Sequence, residues 1–358
     1  MQIATAHARK ASRIAAVFAA VVLGSGCVQS VNQVDGSGLV SSAGHAITLD
    51  PATSYTEAGT VSLALDRIDQ HSLPLDRTYR HYGTGYAVTV YVFDGGVMAT
   101  HPELAGRVRH GFDAFPSDGR PCNAHGTAVA GAVAGTTLGV APQAEIVDVK
   151  MVECTRMRGT IDAIVQGTRW VLDDHARHPG QRAVANWSFV ADTSASVPAL
   201  DTAVAQLRAA GIPVVVSAGN LDLDACHISP SNAPGAIVVG ASQIRRLAES
   251  APVDARSPHT AFGSCIDVFA PGDSVMLPSM DANGAATTQL WTGTSMSAGY
   301  VSGAVALYLE AHPDATPADV SASLKSSSSL SAVDPRSPNA GLLYVGTAAT
   351  TQMVASRR

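Results

Sequence analysis

Charge is scarce in this sequence. Only 15% of its 358 residues are charged, and the formal net charge of −6 is spread without long runs. Basic residues are nowhere clustered enough to suggest nucleic acid as a partner. Low charge with abundant Gly and Ala also argues against a disordered chain or a coiled coil. No CxxC pair is present, which disfavours a zinc cage, and no HExxH helix is present, which disfavours a zinc peptidase. Long apolar runs are missing as well. Ile14–Leu23 is too short to span a bilayer comfortably, and Ala298–Leu309 is short and interrupted by Ser302 and Gly303, as suits a buried helix. What is present is a 46% hydrophobic chain, long enough for one large α/β domain or two small ones, with a full core in either case.

The first residues differ in kind from the rest. Arg9, Lys10 and Arg13 precede the run Ile14–Leu23, and Gly24-Ser25-Gly26-Cys27 follows. A basic stretch, a short apolar core and small residues mark a secretory signal, predicted over 1–27. Cys27 is either acylated as in a bacterial lipoprotein, which would tether the chain to a membrane, or lost by plain cleavage nearby. Export to the cell envelope or the medium is expected in both cases. Of five cysteines, setting Cys27 aside leaves Cys122, Cys154, Cys226 and Cys265; four cysteines allow three pairings, and arithmetic cannot choose among them. Residues 28–59, rich in Ser, Gly, Thr and Ala, read as a tether. Residues 60–348 read as the folded domain and 349–358 as a tail.

Within the domain, strands and helices alternate. Ala87–Phe93 is β-branched and aromatic, a buried strand ending at Asp94. Strands are also predicted over 145–152, 183–189, 213–217, 236–241 and 265–269. Helices are predicted near His125, over 160–176 and 200–210, and close to Ser295. This order implies an α/β fold with a mostly parallel sheet covered on both faces, with function gathered at the carboxyl ends of the strands.

Four segments carry chemistry. Val92-Phe93-Asp94-Gly95-Gly96 sets an acid at a strand end before a sharp turn. His125-Gly126-Thr127-Ala128 opens a helix with a histidine. Gly293-Thr294-Ser295-Met296 sends a serine into a long apolar helix, and Ala218-Gly219-Asn220 places a side-chain amide at a strand end. A serine hydroxyl is a poor nucleophile until a base takes its proton, and a histidine does so when a carboxylate holds its tautomer. An amide can donate to the resulting oxyanion. Singly these are ordinary turn, cap and surface residues; the ordered set Asp, His, Asn, Ser is not. The nucleophile elbow of an α/β-hydrolase esterase is excluded, because Gly293-Thr-Ser-Met-Ser lacks the second glycine and the acid precedes the other two residues.

From about Leu63 to Val345 the sequence resembles the subtilisin family of serine proteases, and within it the proteinase K branch. The likeness runs through Leu65-Asp66-Arg67-Ile68-Asp69-Gln70, Pro102-Glu103-Leu104 and Gly139-Val140-Ala141-Pro142. It continues in Asp224-Ala225-Cys226, Val239-Gly240-Ala241-Ser242 and Phe262-Gly263-Ser264-Cys265. The resemblance implies a three-layer subtilisin-like fold with a mostly parallel central sheet flanked by helices, and a serine endopeptidase acting on proteins or peptides. It implies Ser295 as nucleophile, His125 as general acid and base, Asp94 as its orienter and Asn220 as oxyanion donor. Ser188, Phe189, Val190, Ala218 and Gly219 would contact substrate. Pairings Cys122–Cys154 and Cys226–Cys265 are implied too. No cofactor is needed for the chemistry, although structural calcium held by Asp267 with carbonyls near Pro234 and Ala236 is implied. A monomer is expected.

Several positions depart from the family pattern. Gly95 stands where a hydroxyl residue usually supports the aspartate, and Ala128, Gly299 and Tyr300 replace residues near the histidine and serine. Val190 and Ala191 stand where two glycines leave room for the substrate side chain, which predicts a narrowed pocket unless the local backbone turns them away. Arg156 and Arg158 fall in a region that pairs with the substrate backbone; they either favour acidic substrate residues or are solvated surface arginines. Only about thirty residues separate Cys27 from the resemblance, too few for a folding propeptide. These departures motivate an alternative, a catalytically weakened subtilisin fold kept as a binding or structural lipoprotein.

Overall fold

The computed structural model describes residues 54–58, 62–245, 251–329 and 333–346. Cys27, the expected signal and the 349–358 tail lie outside the described residues.

Alternation along one strand organises the fold. In β1 (Val88–Asp94) every residue is buried. Its Val88, Val90 and Val92 enter one apolar core, while Tyr91 and Phe93 enter a second. A strand buried on both faces must be central, because successive side chains point to opposite sides. The other strands of this sheet are β2 (Val108–Asp113), β3 (Glu145–Lys150), β4 (Arg182–Trp187) and β5 (Val214–Ser217). They are followed by β6 (Ile237–Arg245), β7 (Val253–Arg256), β8 (Val268–Pro271) and β9 (Gly341–Leu342). The sheet runs β9-β8-β6-β5-β4-β1-β3-β2, with neighbours parallel throughout, and β7 is antiparallel beside β6.

Helices cover both faces, as crossover connections require. α1 (Leu63–Ile68), α2 (His125–Ala134), α5 (Thr294–Ala311) and α6 (Pro317–Ser327) contribute to the core containing Val90. α3 (Ile161–Ala176) and α4 (Pro198–Ala209) contribute to the core containing Phe93. The strands and helices expected from patterning lie within a few residues of their predicted bounds. Strands β2 and β7, helix α6 and the hairpin Val275–Met280/Ala286–Trp291 lack a matching expectation. Strands β2 and Ala286–Trp291 have no buried residue and β7 has one, so no buried face sets a period there. The strand Ser54–Ala58 falls inside the segment read as a tether; it pairs antiparallel with Thr78–Tyr82, and Tyr55 stacks on His81.

The axes of α2 and α5 approach closely because small residues line the contact. A Cβ at Gly303 would lie 2.7 Å from the Val140 Cβ and 2.9 Å from the Val133 carbonyl. A Cβ at Gly299 would lie 2.8 Å from the Ala132 Cβ. Overpacking a rigid core of this kind costs about 1–3 kcal/mol or more. Gly303→Val is therefore expected to lower stability by roughly 3 kcal/mol, read by urea denaturation in a Ser295→Ala background that removes self-digestion. An unchanged midpoint would show that the helices can move apart freely.

Candidate active site

Asp94 ends β1 and is only 5% exposed. Its Oδ1 accepts the Gly95 N–H at 2.7 Å. Position 95 offers no hydroxyl, yet the carboxylate is held on both oxygens. The second, Oδ2, lies 2.8 Å from His125 Nδ1. A carboxylate accepts only, so Nδ1 carries the ring proton and Nε2 presents its lone pair.

His125 reaches this position because α2 begins against the turn that follows Asp94. A Cβ at Gly126 would sit 2.5 Å from the Gly96 carbonyl and 3.0 Å from the Asp94 Cβ, so only glycine permits that approach. The preceding segment is pinned by the Cys122–Cys154 disulfide and by the Cys122 N–H donating to the Gly95 carbonyl at 2.8 Å. A second disulfide joins Cys226 and Cys265. Both pairings agree with those the resemblance implied. Burial pulls the His125 pKa down, but the charge of Asp94 and its hydrogen bond outweigh that, and the net displacement is above the usual 6.5.

Ser295 lies in the first turn of α5 and is 7% exposed. Its Oγ donates to the Ser188 carbonyl at 3.3 Å, and Ser188 Oγ donates back to the Ser295 carbonyl at 3.2 Å. Behind them a polar chain crosses from β4 to α5. Asn186 Nδ2 donates to Ser188 Oγ at 2.8 Å, and Ser302 Oγ donates to Asn186 Oδ1 at 2.9 Å. The structure brings Asp94 and His125 into contact; no hydrogen bond joins His125 to Ser295.

Asn220 follows β5 through Ala218 and Gly219. Its Oδ1 accepts from the Thr294 N–H at 2.9 Å and from Thr294 Oγ1 at 3.0 Å. Thr294 Oγ1 in turn accepts the Gly219 N–H at 3.2 Å. The amide oxygen is committed, which leaves Nδ2 as the donor end of an exposed side chain beside the start of α5.

A cleft of about 640 Å³ opens at this point. Asp94, His125 and the segments Ser188–Ala191 and Met157–Ile161 are among the residues that line it. Ser188, Phe189 and Val190 line it; Ala218, which is buried, and Gly219 are not among its lining residues. Val190 is 37% exposed, and a Cβ at Gly219 would meet its Cγ2 at 3.2 Å. Its side chain therefore bridges toward the Ala218-Gly219-Asn220 segment rather than turning away.

Asp267 does not fit the calcium role expected of it. Lys325 Nζ lies 2.6 Å from its Oδ1, and the Val238 N–H donates to Oδ2 at 2.8 Å. Both carboxylate oxygens are thus engaged by protein donors. Among the described residues no group of three or more His, Cys, Asp or Glu side chains is arranged to hold a metal ion.

Patterning did not single out Thr294, Asn186, Ser302 or Trp291. Asn186 was detectable as the polar residue in an apolar strand, and Thr294 as the neighbour of Ser295. Trp291 had no signal: it meets the His125 ring at 6.2 Å between centroids and an interplanar angle of 77°, through a hairpin visible only in three dimensions.

Comparison with known proteins identifies the family and the fold. Residues 85–351 match the Subtilase family. An extracellular serine proteinase from Thermus sp. (strain Rt41A) is 38% identical over 287 residues, covering 77% of this chain and 66% of the relative. Alkaline serine exoprotease A from Vibrio alginolyticus is 36% identical over 302 residues, covering 83% of this chain and 53% of the relative. The crystal structure of a cold adapted subtilisin-like serine proteinase superposes with a TM-score of 0.70 at 35% identity, covering 81% of this chain and all of that one. The matches thus span about half to two thirds of these curated relatives' length. On the family match, the shared identity and the common fold, this chain belongs to the subtilase family.

Proposed function

We propose that the chain is an exported serine endopeptidase that cleaves protein or peptide substrates through an acyl-enzyme. The observation that carries this reading is the 2.8 Å contact between His125 Nδ1 and Asp94 Oδ2 at the rim of the cleft. In this scheme Ser295 Oγ turns about χ1 from the Ser188 carbonyl toward His125. Nε2 takes its proton as Oγ attacks the substrate carbonyl carbon. The negative charge formed on the carbonyl oxygen accepts hydrogen bonds from Asn220 Nδ2 and from the Ser295 backbone N–H, which has no acceptor within the first turn of its helix. Collapse breaks the C–N bond, and the leaving amine takes the proton from His125. Water then repeats the sequence and releases the acid. Two disulfides support export, and acylation of Cys27 would add a membrane tether. No metal or cofactor enters any step.

A second reading has one observation in its favour: Ser295 is hydrogen-bonded to Ser188 instead of His125. A weakened subtilase retained as a binding module would keep that arrangement. A fluorophosphonate probe separates the two readings. The endopeptidase labels on Ser295 and loses labelling in Ser295→Ala, whereas folded wild type that stays unlabelled would establish the alternative.

The general base must be neutral, and Asp94 holds the imidazolium form above its ordinary pKa. kcat/KM is therefore expected to fall as pH drops through a midpoint above 6.5. Asp94→Asn removes the charge that opposes burial, so the midpoint should move down, while kcat drops by about 10⁴ as the tautomer is lost. A midpoint that stays put in Asp94→Asn would remove Asp94 from this role.

Val190 bridging toward Gly219 leaves little depth for a substrate side chain next to Ser295. Cleavage after Ala is expected to exceed cleavage after Phe, and Val190→Gly is expected to raise kcat/KM for Phe by about tenfold or more. Equal cleavage after both residues in the wild type would show that Val190 does not narrow the pocket.

A further inference from the structure

The lining of the cleft carries a charge that the hydrolytic scheme does not use. The hairpin Val152–Glu153/Arg158–Gly159 presents two cations, and the structure treats them differently. Arg156 Nη1 is paired with Glu153 Oε2 at 3.3 Å and is mostly solvated. Arg158 lines the cleft, and its guanidinium has no hydrogen bond or ion pair among the described residues. Glu153 stands directly across from Arg158 in the hairpin register, yet its carboxylate is already taken by Arg156 and by Thr155 Oγ1 at 3.0 Å. Asp94, the one acidic side chain lining the cleft, is buried against His125. Met151, Val152, Ile161 and Ile164 add apolar lining.

The hairpin is also firmly based. Cys154 in its loop is tied to Cys122, and the Cys154 N–H donates to Asp118 Oδ2 at 2.7 Å. Asp118 Oδ1 is held at 2.6 Å by the buried Lys150. An unpaired cation on a pinned wall of a peptide-sized cleft retains its charge for an incoming group.

We infer that Arg158 is a specificity residue that selects substrates carrying an acidic side chain among the residues that precede the scissile bond. This rests on the endopeptidase reading of the same cleft. A peptide filling the cleft strips water from the guanidinium, so a carboxylate placed there gains an attraction while an ammonium meets a like charge. Exposed pairs are individually weak, so the preference is a modest ratio rather than an absolute requirement.

The test uses peptides differing only in Glu, Gln or Lys at the second, third or fourth residue before the bond. kcat/KM is measured for wild type, Arg158→Ala, Arg158→Glu and Arg156→Ala, and affinity for the same peptides is measured by fluorescence anisotropy on Ser295→Ala. The wild type is expected to favour Glu over Lys by roughly threefold to tenfold at one position, with Gln between and the ratio shrinking as salt rises. Arg158→Ala should bring the ratio near one, Arg158→Glu should invert it, and Arg156→Ala should leave it in place. Cleavage without a Glu preference, or a preference that survives Arg158→Ala, overturns the inference while leaving the endopeptidase reading intact. Absent cleavage with a Glu preference still seen in binding does the reverse.

Discussion

A carboxylate buried beside a partly exposed imidazole is stable only when hydrogen bonds replace the solvent it has lost. The Asp94–His125 contact meets that condition, and the local structure is arranged around it. One carboxylate oxygen faces the imidazole and the other faces the Gly95 N–H, so neither is left without a donor. The contact fixes the ring tautomer and therefore determines which nitrogen is available to a substrate. It also places a requirement on the backbone, because α2 must start within van der Waals reach of the turn after β1. Gly126 satisfies this by having no side chain, and the Cys122 N–H hydrogen bond and disulfide hold the approach in register.

The same economy of volume governs the helix that carries Ser295. α5 is buried along almost its whole length and packs against α2 through Gly299 and Gly303. Several of its buried polar side chains are satisfied internally: Ser297 donates to the Ala270 carbonyl, and Glu310 Oε2 accepts the Thr84 and Gly85 N–H groups. Ser302 donates to Asn186, Asn186 to Ser188, and Ser188 to the carbonyl of Ser295, so the polar groups behind the hydroxyl form a continuous chain from helix to sheet. Thr294 performs a similar service for Asn220 by occupying its oxygen. Both arrangements hold a polar group in one orientation through protein partners.

Charge is used sparingly and locally. Where a carboxylate was expected to serve a divalent cation, Asp267 instead meets Lys325 from α6, a helix that patterning did not bring out. In the cleft the opposite holds, since one arginine of a pair is neutralised by its neighbour and the other is not. Two arginines separated by one residue have the same local sequence character. What separates their environments is that Glu153, although across from Arg158 in the hairpin, turns its carboxylate to Arg156.

The fold class and the four candidate residues were legible in the sequence, because a strand buried on both faces and a helix lined with Ala and Gly leave period and composition signals wherever they occur. Ala87–Phe93 and Ala298–Leu309 were readable on that ground. So were Asp94, His125, Asn220 and Ser295, each at the edge of such a run. Other features depended on which segments meet. These include the return of Ser188 onto Ser295, the Trp291 contact with His125, Lys325 against Asp267, and Val190 leaning toward Gly219. A hydrogen bond or a van der Waals contact acts over a few ångströms in space, and no local period in the chain records which distant residue will arrive there.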